Sequence, residues 1–321
     1  MERVHSAILA HDVRKRYAGG PEDAGLHGFN LEIAPGTVCG LLGPNGAGKT
    51  TAVRILSTLL RMDSGEAWVA GYDVRHQGQH VRERIGLVGQ YAAVDEILSG
   101  RENLEMFGRL NHLPGRVARA RAEELLRQFA LADAANQSVR TYSGGMRRRL
   151  DLAASLIVSP PVLFVDEPTT GLDPAARRDV WAAIRSLVQA GSTVLLTTQY
   201  LEEADALASQ IVLLKAGRVI AAGTPRDLKA TLGGSWIDLT LPDERALATA
   251  QRILAHLPDV QSDSERLHLS LPAEDGTRSL LRVANLLEEA AITPLDIGLR
   301  QPTLDDVFLH LTVDTSEEVA A

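Results

Sequence analysis

The sequence predicts an α/β protein. Its core is a mainly parallel sheet, joined by an antiparallel β subdomain, a helical subdomain and a small C-terminal α+β domain. Three observations lead there. From Val162 to Ala208, apolar segments of strand length alternate with helical patterns, the arrangement that buries a parallel sheet between helices. The short apolar run Thr37–Leu42 leads straight into a glycine-rich loop followed by a helical pattern. Residues 91–158 change character and read as helix, and Gly233-Gly234 separates a last α+β segment.

Along the chain, Ser6–Val13 and Gly28–Ile33 alternate as antiparallel strands do, with Pro35-Gly36 marking a turn. Thr37–Leu42 is the strand before the loop, Thr50–Leu60 the helix after it, and Glu66–Val69 and Ile85–Val88 are further strands. Ser99-Gly100-Arg101-Glu102 fits a capping box for a helix through Leu110. Further helices cover Val117–Phe129 and Gly145–Val158, the latter with Met146, Leu150, Ala153, Ala154 and Ile157 on one face. Strand Val162–Val165, helix Ala175–Ala190, strand Thr193–Thr197 and helix Leu201–Ala208 follow, then a hairpin of Ile211–Leu214 with Arg218–Ala222. Thr224-Pro225 starts a helix, with Thr as cap and Pro at its first position. This places the main domain at residues 1–232, with its helical part at about 91–158, and the accessory domain at 235–313. The accessory domain has strands near Trp236–Leu241, Leu267–Leu271 and Leu295–Leu299 and helices near Arg245–His256 and Arg278–Ala290; residues 314–321 form a tail, with Thr315–Ala321 expected to fray.

Composition narrows the class. The 321 residues allow about two domains, and 45% hydrophobic with 23% charged residues is ordinary for a globular chain. A net charge of −8, from 33 Lys and Arg against 41 Asp and Glu, argues against nucleic acid as a partner. The single cysteine, Cys39, excludes an internal disulfide and reads as a small buried hydrophobe. No run of 18 apolar residues is present, so this sequence supplies no transmembrane segment, and Glu2, Arg3, His5 and His11 around a short apolar run do not make a signal peptide. If the chain works at a membrane, another polypeptide supplies the spanning part.

Gly43-Pro44-Asn45-Gly46-Ala47-Gly48-Lys49-Thr50 matches G-x-x-x-x-G-K-[ST] between a predicted strand and a predicted helix. Glycines let consecutive backbone N–H groups converge on phosphate oxygens, and the helix N-terminus adds its positive end. Lys49 is placed for the β- and γ-phosphates, Thr50 for Mg²⁺ and Thr51 for the α-phosphate. The apolar strand Val162–Val165 delivers Asp166 beside that loop as a second Mg²⁺ residue, acting through water. Glu167 follows, placed to take a proton from an attacking water. Between the two motifs, Ser143-Gly144-Gly145 opens a helix and forms a second anion cradle. One triphosphate needs one phosphate loop, so a second cradle makes sense if it meets ATP held by another copy.

On these residues the chain resembles the ATP-binding subunits of ABC transporters over roughly residues 5–232. Gly43–Thr50 matches their Walker A, Tyr142–Met146 their signature segment and Leu163–Glu167 their Walker B with its catalytic glutamate. Gly171-Leu172-Asp173-Pro174 matches the D-loop, which crosses the dimer interface, and Gln90 the Q-loop glutamine, which links Mg²⁺ and the γ-phosphate to the membrane partner. Tyr17 fits the aromatic residue that stacks on adenine. The resemblance implies a P-loop NTPase fold, ATP and Mg²⁺ as cofactors, a head-to-tail dimer with a second copy, and an integral membrane permease subunit as partner. It also implies a peripheral place at the cytoplasmic face of the cell membrane.

The Gly89–Glu96 segment, Tyr142–Leu152 with Arg147-Arg148-Arg149, and Pro302-Thr303-Leu304-Asp305-Asp306-Val307-Phe308 are similar to the daunorubicin-resistance branch. That implies export of an antibiotic or other hydrophobic compound, with the C-terminal domain helping assembly with the permease. The alternative is a non-transport ABC ATPase acting on DNA or ribosomes. Two residues depart from the family pattern: Met146 replaces a glutamine, and Gln199 stands where most members have a histidine. Gln199 is expected to act as a neutral γ-phosphate sensor, donating from its amide but never becoming cationic. His76 and His80 lack a third ligand for a metal site, and Arg14-Lys15-Arg16 and Arg147-Arg148-Arg149 read as solvated faces or partner contacts.

Overall fold

The computed structural model describes residues 6–17, 24–89 and 93–317, with side chains described as far as His310. Contacts divide the chain into two compact units, Met1–Pro225 and Arg226–Ala321.

The first unit begins with β1 (Ile8–Arg16), β2 (Gly25–Ile33), β3 (Val38–Leu42), α1 (Lys49–Leu56), β4 (Ser64–Val69), β5 (Tyr72–Asp73), α2 (Gly78–Arg82) and β6 (Ile85–Val88). Then come α3 (Gly100–Leu110), α4 (Gly115–Gln128), two short 3₁₀ turns and α5 (Gly144–Ser155). It closes with β7 (Val162–Asp166), α6 (Pro174–Gln189), β8 (Thr193–Thr198), α7 (Leu201–Leu207), β9 (Gln210–Lys215) and β10 (Arg218–Gly223). An antiparallel sheet runs β2-β1-β4-β5, and a six-stranded sheet runs β10-β9-β3-β8-β7-β6 with every pairing parallel except the β9–β10 hairpin. Alternating side chains explain the first sheet: Phe29, Leu31 and Ile33 are buried while Asn30 and Glu32 between them are exposed, and Ile8 and Ala10 are buried on either side of half-buried Leu9. The strands of the second read as continuous apolar runs because helices cover both faces, and all residues of β3 and β8 are buried.

The order of the second sheet positions the chemistry. β3 and β7 are not neighbours; β8 lies between them, with Leu42 opposite Thr198 on one side and Asp166 opposite Thr197 on the other. The glycine loop after β3, the acids ending β7 and Gln199 after β8 therefore leave the sheet on one side, at the carboxyl ends of the parallel strands. Ligands of open parallel sheets bind at the carboxyl ends of strands for this reason.

Helix α1 is shorter than the sequence suggests, because Thr58 turns to φ 66° and Leu59 is left exposed. β5 and α2 escape sequence reading, being too short to show a period. The capping box at α3 is formed: Glu102 N donates to Ser99 Oγ at 3.2 Å and Ser99 N to Glu102 Oε2 at 2.8 Å. Leu104, Leu125 and Leu126 are fully buried in the helical part, each contributing about 1.5–3 kcal/mol. Cys39 is buried in β3, which pushes its thiol up to about 12 and leaves it inert at neutral pH.

The second unit contains α8 (Pro225–Ala230, whose first residue closes the first unit), β11 (Ser235–Thr240), α9 (Glu244–Leu254), β12 (Gln261–Asp263), β13 (His268–Ala273), α10 (Thr277–Glu289), β14 (Asp296–Arg300) and α11 (Leu304–Glu317). Its sheet runs β12-β13-β11-β14, all antiparallel, around a core that includes Ile237, Leu239, Leu247, Leu271, Val283 and Leu287. α11 runs through Thr315 to Glu317, part of the stretch expected to fray; residues 318–321 lie outside the described residues. Its start is fixed by Asp306, which accepts from Thr303 N at 2.7 Å and from Arg300 Nη1 at 2.5 Å, with the Arg300 guanidinium over Trp236. Asp306, the second of the two acidic residues in the Pro302–Phe308 segment, is thus committed to holding this unit together.

Candidate nucleotide site

The loop Gly43–Gly48 is held from behind and open in front. Ala47 is buried, its carbonyl accepting from Gly217 N in the β9–β10 turn at 2.9 Å, while Pro44, Asn45 and Gly46 are exposed. Gly48 takes φ 106° as the residue before α1, and a Cβ there would lie 2.7 Å from the carbonyl oxygen of Gly25, so no other residue fits. The backbone then enters α1 with its first N–H groups unbonded by the helix. Thr50 is exposed at that start and Thr51 half-buried, its Oγ1 3.1 Å from the hydroxyl of Tyr17 at the end of β1.

Lys49 is buried and folds back over its own loop, donating to the carbonyls of Gly43 at 2.7 Å and Pro44 at 3.2 Å. Its Nζ also stands 3.9 Å from Glu167 Oε1. Burial pushes the ammonium pKa down, and Glu167 and Asp166 pull it back. Asp166 accepts a short hydrogen bond from the Thr197 hydroxyl. The backbone N–H of Glu167 donates to the same hydroxyl at 3.2 Å and to the Thr197 carbonyl at 3.0 Å. Glu167 sits at φ 47°, a left-handed conformation that costs a non-glycine residue about 1–3 kcal/mol. Tyr17, Gly25, Gly46, Lys49, Thr51 and Glu167 line one cavity of about 240 Å³, which is below the roughly 300–1,000 Å³ of complete ligand pockets.

Ser143 caps α5, its hydroxyl accepting from Met146 N at 3.2 Å, and both Ser143 and Gly144 are exposed. Gly145 is buried against α6, where a Cβ would come 2.8 Å from Ala176 Cβ. Asp173 caps α6, accepting from Ala175 N at 2.9 Å and Ala176 N at 3.0 Å; these bonds hold its carboxyl below the usual range. Gln199 is exposed just past β8. Gln90 lies outside the described residues, as do Tyr91 and Ala92.

The structure thus brings Gly43–Thr51, Tyr17, Asp166 and Glu167 together. It corrects the arginine run. Arg148 is buried, donating to the carbonyls of Gly89 (2.6 Å), Asp166 (2.9 Å) and Pro168 (3.0 Å); Arg149 reaches the Phe129 carbonyl (3.1 Å) and Arg147 the Arg140 carbonyl (3.0 Å). Thr197 and Arg148 are the two site residues that sequence reasoning missed. The signal available was a polar residue in an apolar strand, and an arginine at helical spacing (i+3 and i−4) from buried Gly145 and Leu152.

Comparison with known proteins agrees with this geometry. The family model described as ABC transporter matches residues 26–170. The chain is 55% identical to the daunorubicin resistance ATP-binding protein DrrA2 of Streptomyces coeruleorubidus, over 98% of each chain. It is 47% identical to the doxorubicin resistance ATP-binding protein DrrA of Mycobacterium tuberculosis, covering 99% of this chain and 97% of that one. It is 35% identical to the linearmycin resistance ATP-binding protein of Bacillus subtilis, covering 95% and 98%. Among solved structures, a dimeric ATP-binding cassette in a post-hydrolysis state, bound to ADP and Pi, matches with a TM-score of 0.60 and 27% identity, over 68% of this chain and 98% of that one.

Proposed function

Because the chain belongs to the ATP-binding subunits of ABC transporters, we propose that it is the motor of a drug exporter, hydrolysing ATP at a site shared with a second copy of itself. The observation that carries the reading is the convergence of Lys49 and Glu167 on one small cavity at the carboxyl ends of the strands, with Asp166 next in the chain. The exposed Ser143 and Gly144 at the start of α5 then cover another copy's nucleotide. The dimeric cassette bound to ADP and Pi supports that arrangement.

Each residue then has a task. Backbone N–H groups from Gly46 to Thr51 bind the phosphates, Tyr17 stacks on adenine, and Lys49 exchanges the carbonyls of Gly43 and Pro44 for the β- and γ-phosphates. The Thr50 hydroxyl and the Asp166 carboxylate are hard oxygen donors suited to Mg²⁺, and Gln90 is assigned to the same ion. When bound, that ion neutralises charge on the phosphate oxygens. Glu167 accepts a proton from the attacking water as the water oxygen bonds to the γ-phosphorus and the bond to the β-phosphate bridge breaks. Gln199 donates its amide N–H to the γ-phosphate. Asp173 orients the segment that faces the second copy.

Among the described residues no helix is long and apolar enough to cross a membrane, so a separate permease carries the cargo. The drug-resistance names of these relatives support a hydrophobic antibiotic as that cargo, and a peripheral place for this subunit at the cytoplasmic face. The C-terminal unit is assigned to assembly with the permease.

The test is Glu167→Gln in the full chain. Hydrolysis should fall about 10²–10⁴-fold while ATP still binds. With ATP and Mg²⁺ the variant should elute as a dimer in light scattering. Wild-type turnover by the variant would remove Glu167 from its role.

A further inference from the structure

Arg148 has an environment that its place in an Arg-Arg-Arg run does not suggest. It lies on α5, the helix that Ser143 opens, yet its side chain turns away from solvent and is 7% exposed. Its guanidinium reaches three backbone carbonyls on segments that are remote in sequence. Nη1 donates to Gly89 at 2.6 Å, after β6; Nη2 donates to Asp166 at 2.9 Å, at the end of β7; Nε donates to Pro168 at 3.0 Å, one residue past Glu167. The counter-charge is Asp151 on the same helix, equally buried, with Oδ2 3.4 Å from Arg148 Nη1 and Oδ1 accepting from Ala93 N at 2.9 Å.

Three carbonyls on separate segments suit a planar guanidinium, whose N–H donors point outward in fixed directions as those of a compact ammonium do not. The consequence is mechanical. Glu167 is bracketed by two carbonyls tied to one guanidinium, which is itself rooted in the helix whose first turn is the anion cradle. A displacement of α5 is therefore transmitted to the backbone on both sides of Glu167, through contacts that a close-packed interior does not let slip.

We propose that Arg148 is a positioning residue that couples the two nucleotide sites in which one subunit takes part: its own, through Asp166 to Pro168, and its partner copy's, through the helix of Ser143. The inference rests on the roles assigned above to Glu167 and Ser143. Engagement of Ser143 by the partner copy's ATP sets the position of α5 and, through Arg148, the position of Glu167 toward its own ATP. The two copies are the same chain, so in a symmetric pair each site acts on the other in the same way.

Arg148→Met and Arg148→Lys in the full chain test it. Both variants should bind a fluorescent ATP analogue with wild-type affinity. In both, kcat should fall about tenfold or more, and the Hill coefficient for ATP should drop from its wild-type value above one toward one. Lysine keeps a charge beside Asp151 but cannot bridge three carbonyls, so it should not restore cooperativity; it also carries the test if the methionine variant fails to fold. Arg148 that only satisfies buried carbonyls would give variants with a lower Tm but unchanged kcat and Hill coefficient, and that result overturns the proposal. So does a wild-type Hill coefficient of one. The failure is distinct from failure of the underlying reading, which shows instead as hydrolysis by Glu167→Gln.

Discussion

Lys49 Nζ stands 3.9 Å from Glu167 Oε1, yet its hydrogen bonds run to the carbonyl oxygens of Gly43 and Pro44. The ammonium is held ready by groups that a phosphate can replace, because a charged oxygen is a stronger acceptor than a peptide carbonyl.

Lys49→Met keeps the stem and removes the charge. Losing a charge-assisted bond of about 1.5–3 kcal/mol should weaken ATP binding about tenfold or more. The fold should survive, since an apolar side chain then occupies a site where burial already disfavours the charge. Isothermal titration and a thermal scan check the two halves. An unchanged ATP affinity removes Lys49 from the phosphate site.

Gly145 and Gly144 look alike in sequence but differ in space. A Cβ on Gly145 meets Ala176 Cβ at 2.8 Å, whereas one on Gly144 meets only the flexible end of Leu172 at 3.3 Å. Overpacking of the first kind costs about 1–3 kcal/mol. Alanine returns about 1 kcal/mol of helix propensity at either position. Gly145→Ala should therefore lower Tm, and Gly144→Ala should leave it equal or higher. Differential scanning calorimetry that ranks the pair the other way refutes the close contact between α5 and α6.

Glu203 is buried in α7, its Oε1 accepting from Trp181 Nε1 at 3.0 Å, and burial raises its pKa above the ordinary carboxylate range. The sign follows from proton counts. Between the unfolded and folded pKa values the native state holds more protons, so stability falls as pH rises through that window. Glu203→Gln keeps an acceptor for Trp181 and removes the titration. The Tm of the variant minus that of the wild type should be more positive at pH 7.5 than at pH 4.5. A difference that does not change with pH would show that Glu203 titrates as an exposed carboxylate does.

What could be read from the sequence was local. The strand, loop and helix around Lys49, the acids after Val165, the capping box at Ser99 and the cap at Ser143 each depend on residues within one turn of one another, and the structure places them as their spacing implies. Arg148, Asp151, Thr197 and Glu203 were not legible, because each takes its meaning from partners brought in by the sheet order. Thr197 earns its place only because β8 lies beside β7, and nothing in Thr193–Thr198 alone says so. In the second unit the strands β11, β13 and β14 show as apolar runs, but their order does not, and α11 begins with a pairing of Arg300 and Asp306 that no period announces.

The backbone of Glu167 carries a conflict between durability and output. An acid held at φ 47° is a standing burden on the native state, which glycine at 167 would relieve. On the role proposed for Glu167, a glycine there would exchange the reaction's base for a more relaxed native state, so heat tolerance and output pull this one position in opposite directions.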